Sequence, residues 1–351
     1  MLRKEWEAAL LVVVFLCGGV AYGIEPLQLI SGENLDLDIG GWTQLGYHSE
    51  DSVSDLFNQN SGGFNLHQQW FYVERAADGS AGWDIGFRFD AMYGIDADNT
   101  QSFGNNPGNW DLAPGFSHGD YGWALPQAYV DLAYDDLTIT AGHFYTLVGY
   151  EVVTAPDNFF YSHAYTMNNS EPFTHTGLLA TYEANNRLTL YGGWTAGWDT
   201  GFDRMGDGSS FLGGVSLALT ENVACTYITT FGDLGWAGDN AYSHSIVLDM
   251  SLTDNLNYVL QSDVANLAPS GVSYDTIGIN QYLLYSLNDR WGVGARMEWW
   301  KENGTSINGA TFGANWTPHP NLIVRPEVRQ EWSHGLAIDE TAFGIDTILT
   351  Y

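Results

Sequence analysis

The stretch "NLIVRPEVRQEW" spans residues 321–332, and its alternation decides the fold. Leu322, Val324, Pro326 and Val328 share one parity, and Ile323, Arg325, Glu327, Arg329 and Glu331 share the other. A period of two marks a β-strand, whose successive side chains point to opposite faces. One face here is wholly apolar along its length, and the other carries both signs of charge. "RWGVGARMEWW" (290–300) repeats the division: Trp291, Val293, Ala295, Met297 and Trp299 alternate with Gly292, Gly294, Arg296 and Glu298. So does "WDIGFRFDAMY" (83–93), which sets Trp83, Ile85, Phe87, Phe89, Ala91 and Tyr93 against Asp84, Gly86, Arg88 and Asp90.

No helical period is sustained from Asp38 onward, and blocks of alternation predict about sixteen strands. They lie near 39–49, 65–76, 82–95, 124–134, 137–145, 175–184, 187–198, 211–220, 222–232, 242–252, 255–266, 274–287, 290–302, 307–317, 321–332 and 340–351. The connections between them alternate short and long. Short breaks at Asn185-Asn186, Glu221-Asn222, Asp254-Asn255 and Asn288-Asp289 recur about every 34 residues. Asn and Asp suit such corners because they tolerate positive φ. Short turns at one end and long loops at the other mean antiparallel neighbours running up and down.

A sheet this wide must hide its edges, and closure is the only full solution. A soluble barrel would turn its apolar face inward, but about sixteen strands enclose a lumen too wide for side chains to fill. The inverse arrangement, an apolar band toward lipid and a wet, charged interior, satisfies both facts. Residues 38–351 therefore read as an all-β, transmembrane, up-and-down antiparallel β-barrel with short periplasmic turns and long external loops. A large soluble β-sandwich is the competing reading. Trp194, Trp198, Trp299, Trp300, Trp316, Trp332 and Tyr351 stand at strand ends and suit aromatic girdles. The chain's end, "TAFGIDTILTY", places Phe343, Ile345, Thr347, Leu349 and Tyr351 on one face. It resembles the assembly signal of bacterial outer-membrane barrels, although those signals usually end in Phe. Expected partners are thus outer-membrane lipid and the barrel-assembly machinery.

Composition narrows the partners further. Of 351 residues only 11 are Lys or Arg, and the net charge is −31, which excludes nucleic acid. "MLRKEWEAALLVVVFLCGGVAYG" has Arg3 and Lys4 ahead of an apolar run and small residues up to Gly23. That layout reads as a signal peptide over residues 1–23, followed by a periplasmic segment over 24–37. Leu16 stands where a lipobox before Cys17 needs a small residue. Removal of 1–23 leaves Cys225 as the single cysteine, so neither an internal disulfide nor a cysteine metal site is expected.

Four segments in order carry a family resemblance: "QQWFYVERAADGSAGWDIGFRFDAMYGIDA" (68–97), "LPQAYVDL" (125–132), "AGHFYTLVGYEVVTAPDNFFYSHAYTMNNSEPFTHTGLLATY" (141–182) and "LYGGWTAGWD" (190–199). Together they resemble the OmpL-like putative beta-barrel porin family, most densely over 65–215. The resemblance implies a pore in the bacterial cell outer membrane.

In such a pore the chemistry sits on lumen charges and on any loop that folds inward. The candidate pore-lining residues are Asp84, Arg88, Asp90, Arg296, Glu298, Arg325, Glu327, Arg329 and Glu331. The connection 146–174 is among the longest and is rich in aromatics. It is the candidate constriction loop, with Glu151, Asp157 and Glu171 set against Arg88, Arg296, Arg325 and Arg329. An external loop packed over the mouth is its bland alternative, and Arg325 to Glu331 could equally be an ion-pair ladder on the wall. Acidic runs such as "HSEDSVSDLF" (48–57) and "GIDADN" (94–99) could hold calcium, although runs of this kind are usually solvated; otherwise no cofactor or metal is expected. No catalytic residues are assigned. Ser162, His163 and Asp157 lie close in sequence, but a triad must converge in space, and neighbours on a strand, such as Ser243 and His244, diverge. His67, His143, His175, His319 and His334 lack metal-ligand spacing. The expected function is a porin with a water-filled channel for small hydrophilic solutes and ions, favouring cations and forming a homotrimer. The alternative is a non-conducting barrel serving as surface adhesin or structural anchor.

Overall fold

A computed structural model of the chain describes residues 37–51, 56–57, 60–102, 118–202 and 208–351. The expected signal peptide, Cys17 and residues 24–36 lie outside the described residues. The strands are β1 (Asp38–His48), β2 (Phe64–Arg75), β3 (Asp84–Gly94), β4 (Gly122–Ala124), β5 (Ala128–Tyr134), β6 (Leu137–Tyr145), β7 (Thr174–Asn185), β8 (Leu188–Trp198) and β9 (Ser209–Thr220). They continue as β10 (Val223–Asp233), β11 (Ala241–Thr253), β12 (Leu256–Leu267), β13 (Tyr274–Asn288), β14 (Trp291–Glu302), β15 (Thr305–His319), β16 (Leu322–Ser333) and β17 (Ile338–Thr350). Among the described residues two short α-helices, α1 (Ala97–Thr100) and α2 (Tyr165–Ser170), lie between strands.

Each strand pairs antiparallel with its neighbours, and β1 pairs with both β2 and β17, so the sheet closes. β4 and β5 both pair with β3 and together fill one wall position. The break between them falls at Pro126, which has no N–H for the ladder. Asp90 N–H bridges the gap by donating to the Gln127 carbonyl. The result is a closed barrel of sixteen wall positions.

The faces are inverted relative to a soluble protein. Outward positions carry Phe312, Leu178 and Ile85, 61%, 52% and 58% exposed. Inward positions carry Asp90, Arg296 and Asp263, each 0% exposed. No described helix is long and apolar enough to cross a membrane; the strands do the crossing.

The periplasmic corners close by side-chain capping. Asn185 Oδ1 accepts from Arg187 N–H at 2.9 Å, and Asn288 Oδ1 from Arg290 N–H at 3.0 Å. Thr220 and Thr253 hydroxyls accept from the Asn222 and Asn255 amides at 3.2 and 3.3 Å. These side-chain turns explain the recurrence better than positive φ, which among the Asn and Asp of these corners only Asp135 adopts, at 50°. Positive φ instead serves the external end. Asn303 (44°) and Gly304 (95°) make a two-residue turn, so that connection is short where a long one was expected.

Two expected girdle residues face inward. Trp198 and Trp300 are 2% and 1% exposed, and Trp300 Nε1 donates to Ser170 Oγ at 2.9 Å. Trp300 follows outward Trp299 by one position, so parity turns it in; Trp198 shares the parity of outward Trp194, but a β-bulge before it, with Gly197 at φ 106°, turns it inward. Trp194, Trp299 and Trp316 do face out, with Trp291 stacked on Trp316. At the seam Tyr351 exchanges two backbone hydrogen bonds with Gly41, and its hydroxyl donates to the Trp70 carbonyl at 3.0 Å.

Candidate functional site

The connection between β6 and β7 lies inside the barrel. Most of its residues from Val148 to Phe173 are buried. It enters with Leu147 and Val148 against Leu179, Leu212 and Ile228 on the inner faces of β7, β9 and β10. It then crosses to the β1–β3 wall, where Gln68 Nε2 donates to the Val153 carbonyl at 2.8 Å and Gln68 Oε1 accepts from Ala155 N–H at 3.1 Å. It runs on past β17, β16 and β14, and α2 ends it over β12 and β13.

Glycines on the inner face make the seat. A Cβ at Gly294 would lie 2.5 Å from Phe159, one at Gly313 3.1 Å from Phe160, and one at Gly344 3.0 Å from Tyr161. A Cβ at Gly278 would lie 2.3 Å from Thr166 Cγ2. Any larger residue at these positions would push the segment off the wall, since packed interiors hold no spare volume.

Charged wall residues fasten the segment through its backbone. Glu327 accepts from the Tyr161 and Ser162 amides at 2.9 and 3.1 Å, and Glu298 from the Tyr165 amide at 2.9 Å. Arg325 Nη1 donates to the carbonyls of Ala155 and Asn158, and Arg329 Nη1 to that of His163. Arg296 Nη1 meets Glu151 at 2.7 Å and also donates to the Ser162 carbonyl. Carboxylates then surround the guanidiniums: Arg296 and Arg329 share Glu298, Arg329 also meets Glu331, and Arg325 meets Asp346. A buried charge is tolerable only when paired in this way.

The three acidic residues of the segment have different surroundings. Burial opposes ionisation of Glu151, but Arg296, His163 and the Ala164 amide hold its carboxyl down at about 2. Asp157 is exposed, and its carboxylate accepts from the Thr154 hydroxyl at 2.5 Å. Burial and the neighbouring Asp263 carboxylate push Glu171 well above the usual range; Gln261 Nε2 bonds both acids. At the exit, Asp199 Oδ1 accepts the Phe173 and Thr174 amides at 2.8 and 2.9 Å, yet burial pushes its carboxyl up to about 7.

The candidate residues thus fall into two groups. Arg296, Glu298, Arg329, Glu331 and Glu151 form one connected ion-pair array, and Arg325 and Glu327 hold the backbone of the same segment beside it. Asp84, Arg88 and Asp90 stand apart from it: Arg88 bridges Glu74 and Asp90, and Asp84 pairs with Arg75 near the periplasmic end. Of the three loop acids Glu151 meets a wall arginine directly, with no gap to Arg296, whereas Asp157 and Glu171 bond Thr154 and Gln261. Gln68, Asp263, Gln261, Asp346 and Asp199 escaped the sequence reading. Asp263 stands as the lone charge of β12, at inward parity, whereas Asp346 shares β17 with Asp339 and Glu340. Ser162 and His163 turn to Arg296 and Glu151, and Asp157 to Thr154, so they form no triad. The acidic run 94–99 is folded into α1 and its flank, with Asp96 bonded to His67 and Gln68; Ser52 to Asp55 of the other run lie outside the described residues.

Residues 36–348 match the family described as putative beta-barrel porin-2, OmpL-like. Solved structures with the same fold include a loop-deletion mutant of the outer-membrane protein OmpT of Vibrio cholerae (TM-score 0.59, 12% identity, covering 90% of this chain and 99% of that one). The outer-membrane channel DcaP of Acinetobacter baumannii matches with TM-score 0.59 and 8% identity, over 90% of this chain and 97% of that one. A mutant of the Rh. blastica porin matches with TM-score 0.59 and 13% identity, over 90% and 100%. No curated protein sequence matches the chain.

Proposed function

We infer, for a chain that belongs to the putative beta-barrel porin-2, OmpL-like family, that the outer-membrane barrel passes small hydrophilic solutes and ions by diffusion along its interior. One observation carries this reading: a charged inner wall, from Arg325 to Glu331, holds segment 146–174 inside a barrel whose apolar face is turned to lipid. The segment then serves as the constriction, with Glu151, Asp157 and Glu171 in its span and the charged wall residues lining the path.

Cation preference follows from how the arginines are spent. Arg88, Arg296 and Arg329 each meet two carboxylates, and Arg325 meets one. Their fields are cancelled locally, while half-buried inward acids such as Asp131 and Asp249 keep theirs. Assembly as a homotrimer is part of the proposal, by analogy with a form of V. cholerae OmpT solved as a trimer. So is recognition of the strand ending in Tyr351 by the barrel-assembly machinery.

A second reading, a non-conducting barrel serving as adhesin or anchor, is favoured by the extent of the segment's contacts, which reach strands on all sides of the lumen. Single-channel recording of the refolded mature barrel under a salt gradient separates the two. Conductance steps with a reversal potential of cation sign support the first reading. Folded protein that never conducts supports the second.

A further inference from the structure

We propose that His48, His67 and Tyr161 form a binding site for a divalent transition-metal ion, which neither the family nor the diffusion reading requires. The three come from β1, β2 and the inserted segment, so linear spacing gives no hint of them. Both imidazoles point at one phenol oxygen: His67 Nε2 lies 2.6 Å and His48 Nδ1 3.3 Å from Tyr161 Oη. All three residues are buried, at 1%, 3% and 3% exposure. The phenol's place is built: a Cβ at Gly46 would lie 2.5 Å from Tyr161 Oη, and Glu327 takes the Tyr161 amide.

Each imidazole also has a carboxylate at its far nitrogen. Asp96 Oδ1 is 3.0 Å from His67 Nδ1, and Asp96 Oδ2 is itself fixed by Gln68 at 3.0 Å. Asp51, 61% exposed at the external end, is 3.7 Å from His48 Nε2. Carboxylate behind histidine is the usual outer shell of a metal ligand, because it fixes the tautomer and raises basicity.

Proton positions separate the metal from a hydrogen-bonded chain of neutral imidazoles. Asp96 makes His67 Nδ1 the donor, so the Nε2 of a neutral His67 accepts the Tyr161 proton. In that chain Tyr161 Oη accepts from His48 Nδ1–H, which leaves a bare lone pair on His48 Nε2, facing Asp51; that nitrogen has no hydrogen-bond partner. A proton on both nitrogens of His67, or a metal ion, reverses the chain and places N–H on His48 Nε2. With a metal, His48 Nδ1, His67 Nε2 and the phenolate all ligate, the phenolic proton leaves to solvent, and His48 carries N–H on Nε2, toward Asp51. Two imidazoles and a phenolate suit zinc or copper(II), with a position left for water. Among the described residues no three of His, Cys, Asp and Glu converge on a metal position; here the third donor is a phenol.

The test uses the refolded mature barrel in detergent, with excess magnesium to occupy surface carboxylates. Zinc is titrated calorimetrically, and copper(II) is added for the tyrosinate charge-transfer band. One ion per chain is expected, with Asp96→Asn weakening zinc binding about 10- to 100-fold. Tyr161→Phe should abolish the copper band while the barrel stays folded by circular dichroism. Folded wild type that retains no ion overturns the proposal. So does equal retention by the His48→Gln/His67→Gln double variant, or a copper band that survives Tyr161→Phe.

Discussion

Glu151 and Arg296 show what a single residue contributes. Both are buried, and each satisfies further groups: Arg296 reaches the Ser162 and His163 carbonyls of the segment, and Glu151 the Ala164 amide of its own segment and the Tyr282 hydroxyl on β13. Removing one partner of such a pair costs about 3–5 kcal/mol, because the survivor is left charged and unpaired. Glu151→Gln should therefore lower the urea midpoint of unfolding, and Glu151→Gln with Arg296→Met should recover part of that loss. Strictly additive losses in the double-mutant cycle would remove the coupling. Half of this pair was legible beforehand: Arg296 and Glu298 stand at inward parity in a strand, and period two is a strong signal. The partner was not, because nothing local says which acid of a long connection will meet a given arginine. The glycines did hold the missing information. Gly278, Gly294, Gly313 and Gly344 share the parity of the charged residues, and that is where the segment sits.

At the scale of elements, segment 146–174 is held by two chemistries with opposite pH behaviour. Glu151 has a depressed folded pKa of about 2, so its contribution is present above the ordinary carboxylate range and is lost only as pH falls toward 2. Glu171 and Asp199 are raised, Asp199 to about 7, so their contribution is complete below the ordinary range and is lost as pH rises through the folded value. Between about pH 5 and 8 the middle of the segment should keep its hold while its exit, around α2 and Phe173, loosens. Hydrogen exchange, corrected for intrinsic rates, should show amides 165–174 opening more at pH 8 than at pH 5, with 159–164 unchanged. Asp199→Asn should flatten the change at 173 and 174; a profile that does not alter in that variant would exclude Asp199. Most strands are legible to within about two residues, since they alternate and are bounded by turn formers; the exception is the expected strand 124–134, which Pro126 breaks into β4 and β5. Parity places Trp300 inward, whereas Trp198 is turned in by a bulge at Gly197 that alternation does not reveal. The seat offers a separate handle: Gly294→Val should displace Phe159, leave the barrel folded and raise single-channel conductance. Unaltered conductance from a folded Gly294→Val barrel would mean that Phe159 does not bound the path.

For the whole molecule the question is which charges an ion feels. A net charge of −31 is a poor guide by itself, because loop acids outside a Debye length of the path are screened. The inner wall matters more, and there the arginines are matched by acids in contact. Neutralising a sequestered arginine and neutralising an open acid should therefore differ in effect. Asp131 and Asp249 point inward and are half-buried, toward the periplasmic end of their strands. The double variant Asp131→Asn/Asp249→Asn should cut the cation-to-anion permeability ratio about twofold or more, read as a shift of reversal potential toward zero. Arg325→Gln should leave that ratio nearly unchanged and act on stability instead, since Asp346 and two carbonyls of the segment lose their donor. The opposite pattern, a large shift from Arg325→Gln and none from the double acid variant, would put selectivity at the segment and its arginines. It would also mean that the segment leaves the wall during conduction, because only then does Arg325, still paired with Asp346 on the next strand, lose the Ala155 and Asn158 carbonyls and face the passing ion.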